Sequence, residues 1–309
     1  MHINTLYIIG NGFDLNHRLP TGYGHFKAYV RAHDREVYDW VEEYVPAGES
    51  WGDMEMAFAE LDTDNIISSL EHFMGSYADD DWSDSSHHDF QYEVDRVAGG
   101  LGRTLHKLFA EWVNTIQIPD AQNAQNRLAG MDTSAIYLTF NYTSTLTRVY
   151  QVPPGNILHI HGQSTDADSE LVLGHGWAPE ERTSLLDAVN HEDSDHRLIE
   201  AMQSLDDYFS NTFKPSSDII ERNADFFAGL AEVDQVVVLG HSLSPVDAPY
   251  LSAVVQALKH RPVYWIVATL PDDDLIEKTA RLNAVGVTSG YVRYRLWSEL
   301  HEDTLDEHP

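Results

Sequence analysis

Three short stretches of the chain carry residues whose types and spacing could do chemistry. The first is Leu6-Tyr7-Ile8-Ile9-Gly10-Asn11-Gly12-Phe13-Asp14-Leu15-Asn16, an apolar run that breaks into two glycines and an acid. Glycines after a buried strand let backbone N–H groups approach an anion, and a following helix N-terminus adds a favourable dipole. The nicotinamide-dehydrogenase fingerprint needs a third glycine where Leu15 stands, and no acid closes a second strand about 20 residues on, so that enzyme class is disfavoured. The second stretch is Leu138-Thr139-Phe140-Asn141-Tyr142-Thr143 followed by Ile157-Leu158-His159-Ile160-His161-Gly162. Asn141 would sit just past the end of a buried strand, where open parallel sheets place ligands, and can hold a ribose hydroxyl or a water. His161, at another strand end, can serve as a base near neutral pH. The third is Val238-Leu239-Gly240-His241-Ser242-Leu243-Ser244-Pro245-Val246-Asp247, which resembles the start of a hydrolase nucleophile turn but has Ser244 where the closing glycine belongs. It reads better as a second nucleotide-contacting loop, with Ser242 facing phosphate or ribose.

Each signal alone has a plainer reading. Two glycines can simply make a tight turn, and an isolated Asn or His more often caps an element or fills a core hydrogen bond. The order of the three stretches is what tips the balance toward a nucleotide site. His159 and His161 also form an H-x-H pair that Asp166, Asp168 and His175 could complete as a metal site; no metal is expected, because at most one of these flanking residues lies on a defined element. His87 and His88 read as solvated, and Asp53 and Glu55 of Trp51-Gly52-Asp53-Met54-Glu55 as dipole-complementing acids in a first helical turn, with Trp51 packing the insertion against the sheet.

The elements that must position these residues alternate. Apolar runs near residues 6, 136, 236 and 263 are hydrophobic throughout, as strands buried on both faces of a parallel sheet are. Ile157–Ile160, Leu171–Leu173 and Val292–Leu296 are further strands, and Ala248–His260 reads as a helix between two of the buried runs. The expected fold is α/β: one Rossmann-like domain over 1–309 with a mostly parallel sheet and helices on both faces. Helical insertions occupy about 27–130 and 179–230, broken by an acidic loop at Asp79–Asp89, and an acidic solvated tail covers 299–309.

Composition narrows the partners. The 309 residues carry 19 Lys plus Arg against 50 Asp plus Glu, a net charge of −31, with no Lys/Arg cluster. Such a surface repels phosphate backbones and anionic lipid heads, so general nucleic-acid or membrane binding is not expected. The absence of cysteine excludes a thiol nucleophile, Cys-ligated zinc and iron–sulfur chemistry. No apolar run approaches the ~20 residues of a membrane span, and Met1-His2-Ile3-Asn4 lacks a signal-type n-region, so a cytoplasmic protein is expected.

In order, these motifs resemble the AbiH family of abortive-infection proteins of bacteria. The residues that carry the likeness are Ile8–Asn16 with Leu19-Pro20-Thr21-x-Tyr23-x-x-Phe26, Trp51-x-Asp53-x-Glu55, Phe140–Thr143, His159–Gly162, Leu173-Gly174-His175-Gly176 and Gly240–Ser244 with Asp247, Pro249 and Tyr250. More distantly the arrangement looks like the sirtuin-type nucleotide fold. That likeness implies that NAD is the substrate, cleaved at the nicotinamide–ribose bond by catalytic Asn141 and His161. It implies that Gly10, Asn11, Gly12, Phe13, Asp14, Gly240, His241 and Ser242 line the nucleotide, with Arg18 lending positive charge. The chain departs from sirtuins in lacking zinc cysteines, so cleavage by water is expected in place of deacetylation. A phage-derived trigger and self-association go with the anti-phage role. The rival classes are a nucleotide-binding sensor without turnover and a metal-dependent hydrolase.

Overall fold

The computed structural model describes residues 4–74, 88–164, 171–178, 181–188, 195–258 and 261–302. Six strands form one sheet: β1 (Thr5–Ile9), β2 (Ile136–Thr139), β3 (Ile157–His159), β4 (Gln235–Leu239), β5 (Tyr264–Thr269) and β6 (Val292–Leu296). Their order across the sheet is β3-β2-β1-β4-β5-β6, and every pair is parallel. Ile8 pairs in register with Leu138 on one side and Val238 on the other, so β1 and its neighbour β4 are the two middle strands.

Parallel strands need crossovers, and helices supply them. Between β1 and β2 the chain forms α1 (Asn11–Asn16), α2 (Tyr23–His33), α3 (Arg35–Tyr44), α4 (Met54–Ala57), α5 (Thr63–Leu70), α6 (Asp89–Gly99) and α7 (Leu105–Thr115). Helix α8 (Thr145–Tyr150) joins β2 to β3. Helices α9 (His196–Asn211), α10 (Ser216–Arg222) and α11 (Ala224–Ala228) precede β4. Then α12 (Ala248–Ala257) leads to β5, α13 (Leu275–Ala284) to β6, and α14 (Trp297–Glu302) follows.

The sheet is apolar on both faces because successive side chains of a strand point to opposite sides. Leu6, Ile8, Leu138, Val236, Val238, Trp265 and Val267 face one core with Ile219 of α10, Phe227 of α11, Leu251 and Val254 of α12 and Leu282 of α13. Tyr7, Ile9, Tyr137, Val237, Leu239, Ile266 and Ala268 face the other, with Phe13 of α1, Leu146, Val149 and Tyr150 of α8 and Leu300 of α14.

The chain divides into two compact units. The sheet unit comprises residues 1–22, 113–172 and 215–309; a helical unit comprises 23–112 and 173–214. In the helical unit Phe26 meets the rings of Trp51, Phe109 and Trp112. Asp34 and Asp195 cap their helices by accepting from Val37 N–H and Arg197 N–H.

Several sequence expectations differ from what forms. Leu171–Leu173 is no strand: Val172 N–H donates to His161 O and Val172 O accepts from Tyr142 Oη–H, two isolated bonds in place of a ladder. Residues 116–135 are turns, so helical spacing stops at Thr115. Residues 299–302 belong to α14, whose Leu300 is fully buried, so this part of the acidic tail is a docked helix. Asp89 opens α6, while 79–87 and 303–309 lie outside the described residues.

Candidate functional site at the carboxyl edge of the sheet

The strand order reverses between β1 and β4, and the glycine turns follow these two neighbours. Gly10 N–H donates to Leu239 O at 3.0 Å, Gly12 N–H to Gly240 O at 2.8 Å, and Phe13 N–H closes on Gly10 O at 2.9 Å. A Cβ on Gly12 would sit 2.8 Å from Gly240 Cα. A Cβ on Gly240, whose φ is +70°, would sit 2.1 Å from Phe13 N. The glycines therefore join two strand ends backbone to backbone, and these three N–H groups bond carbonyls within the protein, not an anion. Asn11 donates its amide to Thr21 O at 2.9 Å, holding the next loop, and the Phe13 ring is wholly buried in the core.

Asp14, on α1, is the turn's chemical residue. Its side chain is 1% exposed; Oδ2 accepts from Thr143 Oγ1 at 2.6 Å, and Oδ1 has no hydrogen-bond partner among the described residues. Burial pushes its pKa up to about 6, against hydrogen bonds from Thr143 and Thr145 that pull it down. Asn141, one residue past Phe140 at the end of β2, pulls weakly the same way but falls short of bonding geometry. Its backbone is fixed: N–H donates to Thr139 Oγ1 at 3.1 Å, and O accepts from His159 Nδ1 at 3.0 Å. Its side chain is 6% exposed, yet neither Oδ1 nor Nδ2 is bonded among the described residues.

Beside this pair lies an aromatic and imidazole cluster. The Phe140 ring stands edge-on to His161 at 5.2 Å, His241 at 4.3 Å and Tyr250 at 5.7 Å. Asp247, at the start of α12, lies between the imidazoles, with Oδ1 3.7 Å from His161 Nε2 and Oδ2 3.4 Å from His241 Nε2. All three are nearly buried. Asn141, His161, Asp14, His241 and the glycine turns thus meet at one edge of the sheet unit.

Other expected residues stand apart or have structural partners. Ser242 is exposed; its carbonyl accepts from the Arg281 guanidinium at 3.0 Å, which puts a cation beside this loop that the sequence reading passed over. Arg18 is exposed. His159 spends Nδ1 on Asn141 O, burial lowers its pKa, and no group of three metal-ligating side chains occurs among the described residues. Asp166, Asp168 and His87 lie outside them. In the helical unit, Glu55 accepts from Tyr23 Oη at 2.8 Å and from the fully buried Lys214 Nζ at 2.7 Å. Asp53 precedes α4 without a side-chain cap bond, and Trp51 donates its indole N–H to Glu42 at 2.7 Å. His175 Nε2 bonds Phe209 O at 3.0 Å. Asp247, Thr143 and Tyr250 are the site residues that sequence reasoning missed. Asp247 and Tyr250 stood in the Gly240–Tyr250 motif, but nothing in a linear pattern says that Asp247 turns back onto His161.

A doubly wound α/β fold with buried polar groups at the point of strand-order reversal defines a Rossmann-like protein, a class of fold that binds its ligands at the carboxyl ends of the strands. No helix among the described residues is long and apolar enough to cross a membrane. Residues 6–269 match the family described as bacteriophage abortive infection AbiH. The chain belongs to that family, and its role lies in abortive infection of phage-infected cells. No curated protein matches the chain by sequence.

Proposed function

We propose that this protein hydrolyses NAD at the nicotinamide–ribose bond in the cytoplasm of the infected cell, in the manner of a sirtuin-like site without a deacetylation step. The observation that carries the reading is Asn141: a buried carboxamide with both polar atoms unbonded among the described residues, facing the half-bonded carboxyl of Asp14. Leaving such atoms unbonded costs about 1–3 kcal/mol each, so a native chain keeps them for a reason. A ribose hydroxyl and an attacking water offer the donor and acceptor they lack.

Cleaving the glycosidic bond leaves an oxocarbenium-like sugar, so positioning and charge placement matter more than a strong nucleophile. Asn141 orients the ribose or the water, His161 takes the water's proton, and Asp14 as carboxylate stabilises the cationic ring. The glycine N–H groups bond within the protein, so the diphosphate has to be met elsewhere; Arg281, which bonds Ser242 O and pairs with Glu277, is the cation beside that loop that would meet it. Gly240 and Ser242 line that end.

Nicotinamide release from NAD by the purified chain, with and without infected-cell extract, tests this. His161→Ala and Asn141→Ala should each lose on the order of 10²–10⁴ in turnover. NAD binding in calorimetry without any release, with extract present, would favour a sensor. Equal turnover by wild type and both variants would remove the site.

A further inference from the structure

Resting on that reading of His161, we infer that Asp247 is the carboxylate partner of His161 and that His241 is a positioning residue for Asp247. A backbone amide, whose hydrogen is fixed by covalent structure, sets the tautomer of one ring. Leu243 N–H donates to His241 Nδ1 at 2.9 Å, and an amide can only donate, so Nδ1 is an acceptor. The neutral ring then carries its proton on Nε2, the atom 3.4 Å from Asp247 Oδ2. Leu243 has φ +58°, a left-handed backbone that a leucine keeps only where its surroundings over-determine it. His241 therefore has one ring nitrogen on the backbone and the other on Asp247.

Asp247 is held in turn. Its backbone N–H donates to Ser244 O at 3.0 Å, and it stands at the amino end of α12. With Oδ2 facing His241, Oδ1 faces His161 Nε2 at 3.7 Å, a separation that tightens as charge develops on the ring. The imidazoles cannot swing freely, because Phe140 abuts both and Tyr250 lies 5.4 Å from His161. A carboxylate in this position keeps the His161 proton on Nε2, so that Nδ1 is the nitrogen that takes up a proton. In the hydrolysis, the attacking water's oxygen bonds C1′ of the ribose and its proton passes to His161. The C1′–N bond breaks with its electron pair leaving on neutral nicotinamide. The new imidazolium is then balanced by Asp247, as a buried acid balances the histidine of a hydrolase triad. The sequence reading gave His241 to the nucleotide; this geometry gives it to the carboxylate.

The test uses the full chain labelled with ¹⁵N-histidine, in wild type, Asp247→Asn, His241→Phe and His241→Gln. Long-range ¹H–¹⁵N spectra should place the proton of both rings on Nε2, with slow exchange that Asp247→Asn abolishes for His161. Glutamine can put an amide N–H where His241 Nε2–H stands, so His241→Gln should keep slow exchange at His161 and His241→Phe should lose it. In nicotinamide release, Asp247→Asn should lower kcat by about 10²-fold or more while KM moves little. The glutamine variant should retain more activity than the phenylalanine variant, which should fall well below wild type. Slow exchange at His161 that survives Asp247→Asn, a His161 proton on Nδ1, or a glutamine variant as damaged as the phenylalanine one would overturn the inference. Wild type that releases no nicotinamide would instead sink the NAD reading, and the spectra would still decide the relay.

Discussion

Asp14 carries its charge against its surroundings. Its folded pKa, about 6, stands above the 3.8 of an ordinary aspartate because burial penalises the carboxylate. The folded state therefore holds this proton where the unfolded chain has released it. Asp14's contribution is fully present below pH 3.8, fades as pH rises toward 6, and is absent above. At about 1.36 kcal/mol per pKa unit, the loss by pH 7 is on the order of 3 kcal/mol. Asp14→Asn keeps an acceptor for Thr143 and has no charge to bury. Urea melts at pH 7.5 should find this variant more stable than wild type, with the gain gone at pH 4; an equal gain at both would refute the assignment. Asn141 makes the complementary case. Its amide contributes no bond within the described residues, so Asn141→Ala should leave the melting temperature unchanged or raise it while activity falls. A stabilising side chain would show the reverse, a lowered melting temperature.

At the scale of elements, the close approach of the β1 and β4 turns is the most sensitive joint. Gly240→Ala would thrust a methyl into Phe13 N and the Gly12 backbone at a residue with φ +70°, and backbone cannot rotate aside as a side chain can. Its cost should reach or exceed the upper end of the 1–3 kcal/mol usual for overpacking. Gly155→Ala, with nothing within 4 Å of its added methyl, is the control and should be near neutral in the same thermal melts. The same joint shows what the sequence could say. Apolar runs without alternation announced β1, β2, β4 and β5, because strands buried on both faces have no polar side to show. That the two glycine turns touch was not legible: the contact joins residues about 230 apart, and pairing of strand ends leaves no local period. Leu171–Leu173 has the composition of a strand but meets no neighbouring ladder, and composition does not reveal that. Asp247 was legible as part of a motif but not as a neighbour of His161, for the same reason of long-range placement. Leu300 shows the opposite error, where acidic neighbours made a buried anchor look like tail.

For the whole molecule, a net charge of −31 sets the terms on which any anion is bound. A ligand carrying a diphosphate must approach through a repulsive potential that extends about 30 Å at 0.01 M salt and about 8 Å at 0.15 M. Most phosphate-binding sites sit in a positive field, so salt weakens them. Here the long-range field has the opposite sign, and on the proposed reading the attraction left to the site is short-ranged: hydrogen bonds from Asn141 and the guanidinium of Arg281, which also pairs with Glu277. NAD affinity should therefore rise as ionic strength goes from 0.01 to 0.15 M, and the association rate should rise with it. Arg281→Ala should weaken binding several-fold at either salt, because that contact survives screening, and should leave the sign of the salt effect unchanged. Isothermal titration across this range, on wild type and Arg281→Ala, reads both. Affinity that falls steeply with salt would mean that a cluster of positive groups meets the phosphates, and since no such cluster stands in the sequence, the ligand would have to bind somewhere other than the carboxyl edge of this sheet.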